Sequence, residues 1–419
     1  MGDAKNQRLE RARRSLPIVD GLPASKTRAF QQGAGPRRPS PTMAVWAFTQ
    51  ACDQRCLACG PRSGRTLRDE LTTEEALRLV DELAEMGVGE VVLIGGEAYL
   101  RPDFLQVIRA VRERGMKATM TTGGYGFTKQ HIDAAVQAGL QLVSFSIDGL
   151  AETHDALRRR AGSWVRAFEG LAHVRAAGAS IAANTQINRR TMGQLVPLAD
   201  LLAEAGIVSW QMFLTIPHGG AADHPDLVLQ PYMMLEVFEE VERMLERCRA
   251  HGITVWPGNN LGYFGPLETA LRRAMSVEAH YPGCQAGLSG LGIEADGMIK
   301  SCPSLGGPEN TGGSWREHGL KAIWERAPQM RRIERRTRED LWGFCRDCYY
   351  AEPCMAGCTA TSEPLFGKPG NNPFCHHRAL ELDRQGLRER LVQVEAAPGT
   401  PFDHGRFELV VEAKPSSRR

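Results

Sequence analysis

MAVWAFTQACDQRCLACG, residues 43–60, runs a strand-like apolar segment straight into three cysteines, Cys52, Cys56 and Cys59. Five more short runs of the same kind follow: VVLI (91–94), ATMTT (118–122), LVSFSI (142–147), IAANTQI (181–187) and VSWQMFL (208–214). Each is trailed by a longer segment with apolar residues at helical spacing. The first of these helices is marked at both ends. Thr72 and Glu75 form a capping box, Leu77, Val80 and Leu83 make an apolar face, and Gly87 closes it. Further helices are expected over residues 103–114, 128–138, 163–177, 191–205 and 231–251.

Six strand–helix units in strict alternation require an α/β fold with a parallel sheet under helices, wound either as a doubly wound sheet or as a barrel. In a barrel the chemistry gathers at the C-terminal ends of the strands. CDQRCLACG follows the first strand, GGEAYL (95–100) the second and TTGG (121–124) the third, and SIDG (146–149) ends the fourth. The unusual residues therefore share one rim.

Composition narrows the setting. In 419 residues, 42% apolar and 24% charged, the chain reads as a soluble globular protein of two or three units. A net charge of +2 gives no electrostatic case for nucleic acid as the main partner. The opening MGDAKNQRLERARRS has no apolar segment of a signal peptide, and no apolar run reaches the ~18 residues of a membrane span. The expected location is the cytoplasm, with no membrane partner. Thiols stay reduced there, so eleven cysteines point to metal binding or catalysis, not to a disulfide framework. Residues 1–42, rich in Arg, Gly, Pro and Ser, read as a flexible basic leader, and residues 396–419 as a loosely attached tail.

Three thiolates on one loop suit either zinc with a fourth ligand or an iron–sulfur cluster with one free corner. Gaps of three and two residues favour the cluster, because zinc knuckles use CxxC pairs. After about residue 260 the strand–helix rhythm stops. Cys284, Cys302, Cys345, Cys348, Cys354, Cys358 and Cys375 then fall in a Gly- and Pro-rich stretch, poor in core builders, of the kind that metal holds together. A pair of zinc sites would serve that purpose equally. Cys248, alone in the helical pattern EVERMLERCRAHG (240–252), reads as a small core residue.

Cys52, Cys56 and Cys59, at this spacing behind the first strand of an alternating α/β chain, resemble the signature of the radical SAM enzymes. That resemblance implies a partial (β/α)6 TIM-like barrel over residues 43–260 and a catalytic [4Fe–4S] cluster. The cluster's open iron would bind S-adenosylmethionine through its amino and carboxylate groups. Gly95, Gly96 and Glu97 match the family's GGE, in which the glycines admit the backbone and the carboxylate meets the ammonium. Ser144 and Asp148 stand where the family contacts the ribose. Three positions depart from the pattern: Ala58 replaces an aromatic residue, Ala98 a proline and Gly123 an asparagine. TIPHGGA (215–221) resembles the family's turn near the adenine, with no role expected for His218.

The later cysteines resemble the seven-cysteine SPASM extension, which implies a small cysteine-rich α+β domain over residues 261–395 with two auxiliary [4Fe–4S] clusters. Cys345, Cys348, Cys354 and Cys375 would hold one. Cys284, Cys302 and Cys358 would hold the other, with Glu278 or His280 as candidate fourth ligand. The activity implied is that of an oxidoreductase that reductively cleaves S-adenosylmethionine to a 5′-deoxyadenosyl radical. The auxiliary clusters would take up the electron released from substrate.

The leading expectation for the substrate is a ribosomally made peptide, crosslinked or otherwise modified, with a ferredoxin or flavodoxin as reductant. The first 42 residues are too short for a leader-peptide-gripping winged helix, so a separate binding protein, or docking at the SPASM region, is expected. Alternatives are oxidation of a small molecule of the tetrapyrrole or aminoglycoside type, and sulfatase maturation, which Pro303 after Cys302 disfavours. A non-catalytic iron–sulfur or zinc protein is a further alternative, against which the intact GGE argues.

Overall fold

The computed structural model describes residues 39–275 and 279–415. The leader up to residue 38, Glu278 and residues 416–419 lie outside the described residues. Strands β1 (Met43–Thr49), β2 (Glu90–Gly95), β3 (Lys117–Thr122), β4 (Leu142–Ser146), β5 (Ser180–Ile187) and β6 (Ser209–Leu214) fall on the six apolar runs. The helices are α1 (Thr73–Glu85), α2 (Phe104–Glu113), α3 (Lys129–Gln137), α4 (Ala151–Arg158), α5 (Ser163–Ala176), α6 (Leu195–Glu204) and α7 (Met234–His251). Only α4 was not expected. The capping box on α1 is formed: the Thr72 hydroxyl accepts from the Glu75 amide at 3.2 Å, and the Glu75 carboxylate accepts from the Thr72 amide at 2.8 Å. Ala76, Leu79, Val80 and Leu83 make the buried face of that helix, while Leu77 is only partly covered.

Neighbouring strands from β1 to β6 pair in parallel, and β7 (Thr254–Pro257) joins β6 in the same sense. From β1 to β7 the strand order climbs without reversal. A doubly wound sheet turns back at a switch point, so this winding is that of a barrel left open. The row Val143, Phe145, Ile181, Ala183, Trp210 and Met212 is buried in the main core. Because side chains alternate across a strand, the intervening row faces the inside of the barrel. Parallel register aligns Thr121 with Ser144, Ser146 with Asn184, and Asn184 with Gln211 on that inner face.

The sheet does not stop where the helical rhythm does. β8 (Gly290–Ile293) pairs in parallel with the free side of β1, Met43 against Gly290 through Trp46 against Ile293. β9 (Met298–Lys300) and β10 (Thr311–Ser314) continue it antiparallel to a total of ten strands. The cysteine-rich stretch is thereby anchored to the first barrel strand. Arg316 adds a forked contact to Glu75, 2.7 and 2.8 Å, whose carboxyl is held down at about 2 by that guanidinium. Beyond β10 the chain is mostly short turns, with α8 (Thr359–Phe366) and α9 (His376–Arg384).

The expected loose tail is corrected. β11 (Leu387–Glu395) and β12 (Arg406–Ala413) form an antiparallel hairpin, Leu387 opposite Ala413. FELVVEA (407–413) is rich in strand-forming residues, and Phe407 and Leu391 are buried in the core. The Gln230 side chain clamps the Leu391 backbone, accepting from its amide at 2.7 Å and donating to its carbonyl at 3.3 Å.

Arg378 on α9 and Glu389 on β11 form a two-bond pair, 2.7 and 2.6 Å, that is almost wholly buried. Arg378 also donates to Asn371 and to the Asn372 carbonyl. Removing one member of such a pair strands the other charge, so Arg378→Leu is expected to cost about 3–5 kcal/mol. A fall of several degrees in the Tm of the reconstituted protein would register it, and an unchanged Tm would show that the pair is dispensable. Among the described residues, no helix is long and apolar enough to cross a membrane.

Candidate functional site

The loop that follows β1 is stitched to the end of β2. The Gly96 amide donates to the Thr49 carbonyl and the Glu97 amide to the Ala51 carbonyl, both at 2.7 Å. A Cβ at Gly96 would sit 2.0 Å from the Ala51 oxygen, so only glycine lets the two backbones meet. Glu70 pins the root of the loop from below, accepting from the Gln50 amide at 2.8 Å and the Thr49 hydroxyl at 3.1 Å.

Cys52, Cys56 and Cys59 are each half-buried and each receives one N–H at sulfur. The donors are the Gln54 amide to Cys52 at 3.4 Å, the Ser63 amide to Cys59 at 3.3 Å and the Arg158 guanidinium to Cys56 at 3.5 Å. Such bonds favour thiolate. Against them, burial pushes the Cys52 and Cys56 thiols up, so binding of a metal here releases protons. Among the described residues, one set of three His, Cys, Asp or Glu ligand atoms lies within 4.8 Å of one another, that of Cys52, Asp53 and Glu97. Three sulfurs on one tetrahedral zinc, at about 2.3 Å each, would be about 3.8 Å apart. Neither the first cysteines nor the later ones are gathered for a single ion.

Glu97 is buried beside the triad. Its carboxylate accepts from the Thr122 hydroxyl and, at 2.7 Å, from the Gly123 amide, both neutral donors. Burial pushes its pKa up to about 7, with Asp53 adding to the rise. Ser144 lies buried on the inner face of β4 with a hydroxyl that has no partner among the described residues. Asp148 is engaged at both oxygens, one accepting from Arg158 at 2.6 Å and the other from the Gln186 amide at 2.8 Å. Of the two residues expected at the ribose, the structure leaves one free and ties up the other.

Sequence reasoning missed α4 and with it the support of the loop. The Leu57 amide donates to the Leu157 carbonyl at 2.8 Å, and Arg158 spans from Cys56 to Asp148 with its Nε unpartnered. His154 Nδ1 accepts from the Asp148 amide at 3.0 Å, which leaves Nε2–H to donate to Ser163 at 3.1 Å. Burial holds that imidazole down at about 3, so it is neutral. Gln54 donates to the same Ser163 hydroxyl at 2.6 Å. Its carbonyl oxygen would lie 2.1 Å from a Cβ at Gly123, so Gln54 fills the space that a side chain there would take.

His218 packs beneath the loop: a Cβ at Gly60 would be 2.7 Å from its Cε1. Burial, with Lys300 nearby, lowers it to about 4. The C-terminal segment returns here. The Phe402 amide donates to the Gly60 carbonyl at 2.9 Å, and Arg62 binds Asp403, at 2.9 Å, and Asp223.

The seven later cysteines sort into two sets. Beyond burial, Cys354 is raised by Cys375, Cys345 and Cys348, whereas Cys358 is raised by Cys284 and Cys302. The four-cysteine set lines a cavity walled by Tyr263, Phe264, Phe344, Tyr350, His377 and Arg378. Cys345 and Cys348 receive the Asn372 and Tyr350 amides, each at 3.4 Å. Tyr263 stands between the sets, its hydroxyl accepting from the Cys358 amide at 3.0 Å and its carbonyl from the Cys375 thiol at 3.7 Å. It holds a left-handed φ of 75°, and a Cβ at Gly357 would strike its ring. His280 Nδ1 lies 3.1 Å from the Tyr281 carbonyl. Cys248 is buried in α7, as expected.

Comparison with known proteins bears on both halves. A family model described as the radical SAM superfamily matches residues 46–188, and one described as an iron–sulfur cluster-binding domain, SPASM, matches residues 284–349. The chain is 28% identical over 356 residues to the AdoMet-dependent heme synthase of Methanosarcina barkeri, covering 81% of this chain and 97% of that protein. It is 27% identical to the mycofactocin maturase MftC of Mycobacterium ulcerans, covering 88% and 94%. Streptococcus suis SuiB bound to the precursor peptide SuiA superposes with a TM-score of 0.61 at 17% identity, covering 85% and 83%, a likeness of fold.

Proposed function

Since the chain is a radical SAM enzyme with a SPASM domain, working with S-adenosylmethionine and [4Fe–4S] clusters, we propose that it oxidatively modifies a peptide substrate. Cys52, Cys56 and Cys59 hold the catalytic cluster within a unit spanning residues 43–260. Cys345, Cys348, Cys354 and Cys375 hold one auxiliary cluster, and Cys284, Cys302 and Cys358 the other, within residues 261–395. When bound, cluster and S-adenosylmethionine would supply the chemistry for abstracting a hydrogen atom from substrate.

The protein's own work is binding, orientation and exclusion of water. Glu97 receives the ammonium of the methionine moiety, for which a buried carboxylate with two neutral donors is suited. Arg158, with its unpartnered Nε, faces the carboxylate end, and Asp148 positions Arg158. Gly95 and Gly96 let the backbone approach. The free hydroxyl of Ser144 is left for the ribose. A ferredoxin or flavodoxin supplies the electron, and a separate protein presents the substrate's leader.

The observation that favours a peptide is the inner wall. Thr121, Ser146, Asn184, Gln186 and Gln211 face the barrel interior and are all neutral hydrogen-bonding groups. Peptide backbone is met by amides and hydroxyls, whereas the carboxylates of a tetrapyrrole call for arginine or lysine. A tetrapyrrole substrate is the second reading, favoured by the heme synthase similarity along nearly the whole of that protein. Incubating the reduced enzyme separately with short peptides encoded beside its gene and with an iron porphyrin bearing propionates, followed by mass spectrometry, decides between them. Loss of hydrogens from a peptide supports the proposal. Loss of carboxyl groups from the porphyrin, with every peptide unchanged, overturns it.

A further inference from the structure

Three thiolates leave one iron of a four-iron cluster without a protein ligand. Resting on the reading that Cys284, Cys302 and Cys358 hold such a cluster, we propose that the phenol oxygen of Tyr281 is its fourth protein ligand. Tyr281 lies three residues before Cys284, in YPGC. Its side chain is 1% exposed and belongs to one buried group with Cys358 and Leu305, against which Cys302, Cys354 and Cys375 also pack. Its hydroxyl is fully buried and has no hydrogen-bond partner among the described residues. A buried hydroxyl in that condition requires an explanation, because burying it unpaired costs stability.

The neighbours hold the ring and leave the oxygen unengaged. Tyr263 meets it edge-on at 5.1 Å, and the Arg272 guanidinium stands 5.3 Å from its centroid. Tyr263 is no competitor, since its hydroxyl is taken by the Cys358 amide and the Asn259 carbonyl. Arg336, also near Cys284, donates to the Thr359 hydroxyl at 2.7 Å and the Met355 carbonyl at 3.3 Å. Phenolate oxygen is an established iron donor in proteins. Ligation breaks the O–H bond, forms an Fe–O bond and sends one proton to solvent, with no electron transferred.

The test uses the full chain, reconstituted with iron and sulfide, with Cys52, Cys56 and Cys59 changed to alanine so that only auxiliary clusters contribute. Tyr281→Phe, Tyr281→Cys and His280→Ala are built on it, and each is titrated with cyanide under electron paramagnetic resonance. The parent is expected to hold about eight irons and to give a spectrum that cyanide leaves unchanged, since no iron is open. Tyr281→Phe should either gain a cyanide-dependent shift or lose about four irons, and Tyr281→Cys should restore both count and indifference. A parent that already responds to cyanide, or a response opened by His280→Ala and not by Tyr281→Phe, overturns the ligand. A parent holding only about four irons overturns instead the three-thiolate cluster on which the proposal rests.

Discussion

Replacing Cys52, Cys56 and Cys59 together by alanine is expected to remove about four irons per chain and to abolish dithionite-driven formation of 5′-deoxyadenosine, while the remaining cluster signals persist. The expectation follows from placement. The three thiolates share one loop, each with a single N–H donor. The loop itself is held by groups that the substitutions leave untouched: Glu70 at its root, the Leu157 carbonyl at its crest and the Gly60 carbonyl bound by Phe402. The variant should therefore keep its fold, and unchanged far-UV circular dichroism would attribute the loss to the cluster. If cleavage survives, the catalytic metal lies elsewhere and the triad is structural.

Glu97→Gln is the second large effect. Glutamine keeps the shape and one oxygen for the Gly123 amide, turns its NH2 toward the Thr122 hydroxyl, which can accept, and removes the negative charge. A ligand ammonium would then be desolvated without a counter-charge, a loss of about 2–5 kcal/mol for a buried pair. The Kd for S-adenosylmethionine, measured by equilibrium dialysis, should rise roughly thirtyfold or more, since about 1.4 kcal/mol is tenfold. Iron content should stay unchanged. An unaltered Kd would mean that the carboxylate supports Thr122 and Gly123 and does not meet the cofactor.

What was legible in the sequence was what periodicity and spacing carry. The six strands and the helices between them follow apolar patterns long enough to stand without tertiary help, and the Thr72–Glu75 box sits where it was read. The division of the later thiols into two sets was implied by the resemblance and not by spacing, since the sets interleave along the chain; in the structure Cys354 is raised by Cys375, Cys345 and Cys348, and Cys358 by Cys284 and Cys302.

The losses have physical causes. GLGI, MIK and TGGS are short, the first and last of them glycine-bearing, with little strand signal of their own, and become β8 to β10 because β1 offers them an unpaired edge. β12 was hidden by the ten residues that separate it from β11, too long for a hairpin signal. Helix α4 is only eight residues long, and its part in the site lies in side-chain contacts that no spacing predicts. The bonds from Asp148 to Arg158 and to the Gln186 amide are of this kind. Gly123 shows the reverse: its departure from the family pattern is answered by Gln54, sixty-nine residues earlier, whose carbonyl occupies the vacated space.

The central claim is that this chain is a three-cluster enzyme whose catalytic iron acts on S-adenosylmethionine. Its most direct test is anaerobic: reconstitute the full chain, count iron, sulfide and zinc, then add dithionite and S-adenosylmethionine and quantify 5′-deoxyadenosine and methionine. The account predicts about twelve irons with matching sulfide, and both products in equal amounts. Zinc in place of iron, or a fully iron-loaded protein that leaves S-adenosylmethionine intact, would contradict it.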